Sequence, residues 1–555
     1  MFRFKEINGK KNSIISLILK FSENMGNAFV REATMGCGSA YTENGAVSYG
    51  SFGSTLMDQF GKAGAYRGRA LEDVFADQSA LWAADAESAL RFPFYLRMIT
   101  RKDKGFNGYE TETVQRGQGA RDEAFKRMLW IAKYHPEVFY KNLWVLPIVG
   151  SWKDIWVLLS MDDTLDKASF FKIVAEGIND EYHRDLVKKY LPRIRSNSKC
   201  KTEWAAKTNQ LAKEFALFAG WSPKDYRTFK STGKAHEFQR YICAGLYSNL
   251  NFNAIPGKAL LNLVSGKFLD KHNLTDRYIK WLKTQPTAKF NGYPYELGKK
   301  VRDMGSRMPL QTKITLDKQF DHLIATAKSD DGGIKGNVWC ALDTSSSMTW
   351  YPLDESGTTP YDVCISLGIY FSTLNEGAFH KNVIMFDNRS RVLQLSGDFT
   401  DMYRQATCGW YGGGTNFQSV IDEIIRIRRT NPLIPLEDYP QTLVVVSDMQ
   451  FNPAGGSNSN YEVAMAKLGR EFPSEWTKDF KIIWWYCRNG VTTDFPSNMD
   501  CGGTYVVSGY DGSIISFILG GEVPVDPVTG EKKTLTMEEV VTTALSQESL
   551  SLLTL

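Results

Sequence analysis

Apolar positions along this chain follow two different periods, and the change falls near residue 330. Before it, apolar residues recur at helical spacing in segments of ordinary length. Residues 120–134 gather Phe125, Met128, Leu129 and Ala132 on one face and stop ahead of Pro136. Residues 211–220 gather Leu211, Phe215 and Phe218 and end at Gly220. Residues 254–269 and 277–282 repeat the theme, so the pattern predicts a run of amphipathic helices over 56–328. Consecutive helices of this kind with short connections fit a solenoid or bundle. Ahead of them, residues 1–55 carry Gly36, Gly38, Gly45, Gly50 and Gly53 among Ser, Thr and Asn, and read as an irregular arm.

A glycine-rich break, Ser329-Asp330-Asp331-Gly332-Gly333-Ile334-Lys335-Gly336, ends the helical pattern. Short apolar runs at 338–342, 383–386, 443–446, 482–486 and 505–507 then alternate with helical intervals near 361–375, 416–429, 459–471 and 511–519. Buried runs of this length separated by helices specify a doubly wound, mostly parallel sheet over 337–520, followed by a tail, 521–555. The expected class is therefore α + α/β.

Length and composition agree with two modules. The 555 residues exceed what one core usually organises, and 43% hydrophobic with 23% charged residues is ordinary for a globular chain. Eight cysteines lie far apart with no CxxC pair, which excludes zinc knuckles and thioredoxin-type chemistry and fits a reducing compartment. The apolar stretch 14–19 is too short to span a membrane, and a cytoplasmic location is expected.

Charge sharpens the division. Residues 1–330 hold 51 basic and 35 acidic residues, whereas 331–555 hold 15 and 27, so the net of +4 conceals a basic half and an acidic half. The excess is densest in 191–300, with 20 basic and 7 acidic residues. Such a segment attracts polyanions, although solvated helix faces produce the same composition.

The candidate chemistry sits in the acidic half. Asp343-Thr344-Ser345-Ser346-Ser347 follows the first predicted strand, Gly412-Gly413-Gly414-Thr415 precedes a helix, and Ser447-Asp448 ends the run 443–446. Open α/β sheets bind ligands at the carboxyl ends of their strands. Asp343, Ser345, Ser347, Thr415 and Asp448 offer two carboxylates and three hydroxyls, a hard-oxygen set suited to Mg²⁺, with Mn²⁺ or Ca²⁺ as alternatives. This DxSxS…GGT…SD pattern resembles the metal-ion-dependent adhesion site of von Willebrand factor A domains.

The order of modules resembles the Ro ribonucleoprotein (TROVE) family and its bacterial and phage relatives. Gly220-Trp221-Ser222-Pro223-Lys224-Asp225 is similar to a GWSxKD run of that family, and Arg116–Arg121, Tyr134–Glu137 and Gly150-Ser151-Trp152-Lys153-Asp154 resemble motifs of the relatives. The resemblance covers about residues 56–520. It implies a ring of HEAT-like helical repeats closed by the A-type domain, with single-stranded RNA in the basic hole and small structured RNAs outside.

The residues bear on this directly, because aromatic and basic positions interleave within the basic segment. Lys224, Arg227, Lys230, Lys234, His236 and Arg240 are the candidate RNA contacts, with Tyr226, Phe229 and Phe238 between them. Arg116 and Arg121 fit a turn between helices at least as well. No Lys-Ser/Thr pair follows the glycine run and no Ser/His/Asp or Cys/His set stands out, so no enzyme is expected. The remaining alternative is a metal-dependent protein-interaction module that docks an acidic surface and no RNA.

Overall fold

A computed structural model describes residues 39–99, 114–232, 237–409, 412–488, 494–519 and 535–555. Residues 39–331 of these are mainly helical after a short hairpin, β1 (Ser39–Tyr41) and β2 (Val47–Tyr49). Predicted helices appear at Arg121–Tyr134, Glu203–Phe218 and Thr275–Thr284. The stretch 254–269 is instead broken into Gly257–Ser265 and Phe268–Lys271, because Gly266 takes an extended conformation that ends the first helix. The Leu310–Asp331 helix runs three residues past the expected boundary at 328 and stops at Gly332, whose φ of 74° suits glycine.

Beyond the break lies a six-stranded sheet of β3 (Val338–Asp343), β4 (Asn382–Phe386), β5 (Ser390–Gln394), β6 (Thr442–Ser447), β7 (Lys481–Tyr486) and β8 (Thr504–Ser508), in the order β5-β4-β3-β6-β7-β8. Every pairing is parallel except β4 with β5. Strands β3, β6 and β8 are buried along their whole length, which is why they read as unbroken apolar runs. Helices cover both faces. On β7, Trp485 meets Phe371 of the Pro360–Leu374 helix, while its neighbour Trp484 meets Phe417, beside the Gln418–Thr430 helix.

The chain's two ends complete this assembly. The Thr55–Ala63 helix lies on β8, with Gly61 against Val506, and Tyr49 exchanges both backbone hydrogen bonds with Phe495. Residues 521–534 lie outside the described part, but Met537–Leu545 and Glu548–Ser551 are helical. They pack onto the helical half, where Gln547 and Arg116 exchange side chain–backbone hydrogen bonds and Thr554 does the same with Asn142.

A tight helix–helix contact joins the halves. Gly298 in the Pro294–Met304 helix has no room for a side chain, since a Cβ there would lie 2.1 Å from Ser366 Oγ and 2.6 Å from the Tyr403 ring. Beside it Arg302 ion-pairs with buried Asp362, which also caps the Pro360–Leu374 helix through Thr359 and accepts from the Tyr403 hydroxyl. Phe320 stacks on Phe399 with ring centroids 4.3 Å apart. No described helix is long and apolar enough to cross a membrane.

Gly298→Val should therefore destabilise the whole chain by about 1–3 kcal/mol, the usual penalty for overpacking a filled site. Calorimetry should show one transition moved to lower temperature. A melt in which only one half shifts would mean that the halves fold independently.

Candidate metal centre and basic face

The sheet changes direction between β3 and β6, since the chain leaves β3 for β4 on one side and later enters β6 on the other. Their carboxyl ends border the crevice where doubly wound sheets bind ligands. Asp343 is the last residue of β3, and Asp448 follows β6. Both carboxylates are buried.

Local hydrogen bonds shape the loops around them. The Ser345 amide donates to Asp343 Oδ1 at 2.8 Å, and the Ser447 hydroxyl donates to Asp343 Oδ2. Ser345 and Ser347 hydroxyls stand 3.2 Å apart, and the Ser347 side chain bonds the Asp448 carboxylate. The glycine run closes over this turn. A Cβ on Gly412 would lie 2.1 Å from the Thr344 carbonyl oxygen and 2.6 Å from Ser345 Cα, so only glycine fits. Gly413 O accepts from the Ser346 amide at 3.4 Å, and Thr415 exchanges hydrogen bonds with Asn452, four residues beyond Asp448.

These contacts join Asp343, Ser345, Ser347 and Asp448 in one cluster and bring the Thr415 loop against it. Thr415 Oγ1 and Asp448 Oδ2 are buried with no hydrogen-bond partner. Buried hydroxyl and carboxylate oxygens without hydrogen bonds, near a second carboxylate, are donors of the kind that suits a hard cation. Among the described residues, no group of three or more His, Cys, Asp or Glu is placed to hold a metal ion.

Burial pushes the Asp343 carboxyl up to about 7, and repulsion from Asp448 adds to the rise. Asp448 is also raised by burial, with Arg488 opposing. That arginine is invisible to motif reading. Its Nη1 lies 3.5 Å from Asp448 Oδ2, and both terminal nitrogens pair with Glu43 at 3.0 Å, while the guanidinium covers the Tyr351 ring. Glu43 belongs to the β1–β2 turn, held over the site by Thr42 on the Phe451 carbonyl and by its own amide on Gln450. Asn388 is a further unforeseen member, accepting from the Gly414 amide at 2.9 Å.

The six proposed RNA contacts are placed less uniformly. Lys224, Arg227 and Arg240 are exposed. Lys230 Nζ turns inward to the carbonyl oxygens of Lys188, Lys189 and Leu191, closing the end of the Arg184–Tyr190 helix. Lys234 and His236 lie outside the described residues. Two motifs behind the family resemblance are helix caps here. Ser151 with Asp154 and Ser222 with Asp225 both form capping boxes, and Asp154 also binds Arg97. Arg116 is half-buried, with its backbone amide donating to Gln547.

Residues 338–550 match a family described as a domain of unknown function, DUF7788. The chain is also similar to Uncharacterized protein L728 of Acanthamoeba polyphaga mimivirus, 23% identical over 532 residues that span 87% of this chain and 85% of that protein.

Proposed function

We propose that this chain is a non-enzymatic, Ro-like scaffold that binds RNA on its helical half and recruits a partner through a divalent cation held by a von Willebrand factor A-type domain. Asp343, Ser345, Ser347, Thr415 and Asp448 would hold the ion, Mg²⁺ before Mn²⁺ or Ca²⁺. Bound there, the ion supplies a Lewis-acidic position for a carboxylate of a protein partner. The observation that carries this reading is that Thr415 Oγ1 and Asp448 Oδ2, on loops packed together at the switch point, are buried with no hydrogen-bond partner, Asp448 Oδ2 having only the longer ion pair with Arg488. The doubly wound sheet supports the A-type assignment. The basic excess of residues 191–300 supports RNA, single-stranded or in small folded forms, on a ring of HEAT-like repeats.

Titration calorimetry tests the ion. Wild-type protein should bind Mg²⁺, more tightly when an oligoglutamate peptide supplies carboxylates, and Asp343→Ala or Thr415→Ala should abolish binding with an unchanged circular dichroism spectrum. Neither Mg²⁺ nor Mn²⁺ binding by the wild type, with peptide present, would refute the site. Because ion-free Asp343 titrates at about 7, Mg²⁺ has to displace its proton below that pH. Affinity should rise by about tenfold per pH unit toward 7 and then level off.

RNA is tested separately. The logarithm of affinity for decauridylate should fall linearly with the logarithm of salt concentration. Asp343→Ala should leave that slope unchanged. A slope that follows the metal variant would mean that the ion itself meets the RNA.

A further inference from the structure

Most buried cations of the helical half are paired with acids. Arg97 binds Asp154, Arg127 binds Glu123, and Arg69 binds both Asp77 and Glu123. One cavity gathers cations without such partners, Lys153, Lys189 and Lys230 half-buried and Arg193 and Arg195 exposed. It has a volume of about 240 Å³ and is lined by Lys153, Lys189, Arg193, Arg195 and Lys230, with no carboxylate on its wall. Among the described residues, none of these five forms an ion pair. Gathering like charges around a concavity costs free energy unless an anion shares it.

The cavity is built from rigid parts. Lys230 closes its floor by binding the carbonyl oxygens of Lys188, Lys189 and Leu191, and buried Tyr226 holds the same loop by donating to the Pro192 carbonyl oxygen at 2.7 Å. The Arg195 amide donates to buried Asn209 at 2.7 Å, which fixes where the Arg193–Arg195 segment turns. Lys153 is half-buried and sits 5.8 Å from the ring centre of Trp204. That indole lies on the cavity wall with half of its surface exposed. Burial lowers the Lys153 ammonium, helped by Arg121, and lowers Lys230 to about 8, helped by Arg193. Both cations therefore gain from a nearby anion.

A cluster of unpaired cations beside an exposed aromatic plane, in a space too small for a duplex, matches one phosphate and one base. We propose that this cavity seats a single nucleotide unit of an RNA strand, with its phosphate on Lys189, Arg193 and Arg195 and its base against Trp204. The inference rests on the reading of the helical half as RNA-binding and makes it specific. It favours a strand over a free nucleotide because exposed Lys224 and Arg227 lie on the helix that carries Lys230, so the positive surface continues beyond the cavity. It also shifts the principal phosphate contacts from that helix to the 189–195 segment, leaving Lys230 as a buttress.

Fluorescence anisotropy with decauridylate, uridine monophosphate and an oligoglutamate peptide tests this on the full chain. Lys189→Ala/Arg193→Ala/Arg195→Ala should weaken decauridylate binding at least tenfold and flatten the salt slope by about 0.7, the share of one single-strand phosphate contact. Trp204→Ala should weaken binding by roughly five- to a hundred-fold without changing the slope, and Trp204→Phe should recover most of the loss. Lys224→Ala/Arg227→Ala should have the smaller effect. If wild-type protein binds no RNA, the functional reading fails and this site with it. If the wild type binds RNA and the triple and Trp204→Ala variants bind equally well, the cavity assignment alone is overturned. Uridine monophosphate binding as tight as decauridylate would overturn the assignment to a strand. Oligoglutamate binding of equal strength, unaffected by Trp204→Ala, would reduce the cavity to a general anion patch and overturn the assignment to a nucleotide.

Discussion

Two carboxylates buried within one cluster organise this end of the molecule. Isolated charges in a protein interior are costly, and two of like sign are worse. Asp343 nevertheless ends β3 and Asp448 follows β6, its neighbour in the sheet, and both are buried. The surroundings respond to that cost. Ser447, Ser345 and Ser347 donate to the carboxylates, Arg488 approaches from one side, and Glu43 fixes Arg488 from the other. The compensation is incomplete, because one Asp448 oxygen and the Thr415 hydroxyl have no hydrogen-bond partner. A divalent cation bound there would offset the repulsion between the carboxylates.

Segments distant in sequence converge on this assembly. The β1–β2 hairpin delivers Glu43 to Arg488, so the glycine-rich stretch ahead of the helices serves the site at its tip. The Pro294–Met304 helix presses on the Pro360–Leu374 helix, which lies on the central strands, through a contact that admits only glycine at 298. The last residues reach back to Gln115, Arg116 and Asn142. Neither half is closed without pieces of the other.

Much of this was legible in the sequence, for identifiable reasons. Strands β3, β6, β7 and β8 are covered on both faces, so burial writes itself as continuous apolar runs. Strand β5 was missed because Ser390–Gln394 is a half-exposed edge, a polar segment paired on one side only. The Phe399–Thr407 helix was missed because only nine residues carry its pattern. The five candidate ligands stand at strand ends and loops as their spacing implied. Arg488, Glu43 and Asn388 carry no local signature, since their roles arise from contacts across as many as 445 residues. Ser222 and Asp225, within the run that resembles a family motif, have a local role as a helix cap. The unpaired cations of the cavity could not be read from composition, which counts charges but not their partners.

Asp343 and Asp448 repel each other when both are charged, and a bound cation would relieve that repulsion. Burial holds the Asp343 carboxyl at about 7, above its unfolded value of 3.8, so the stabilising effect of its proton is complete below that lower value and lost as pH rises through 7. At pH 8 without divalent ions, Asp343→Asn keeps the shape and removes one charge. Thermal midpoints measured for both proteins, with and without excess Mg²⁺, test the claim most directly. The account predicts that Asp343→Asn melts above wild type without the ion, and that Mg²⁺ raises wild type alone and reverses the order. A wild-type midpoint indifferent to Mg²⁺, or an Asp343→Asn protein less stable under both conditions, would contradict it.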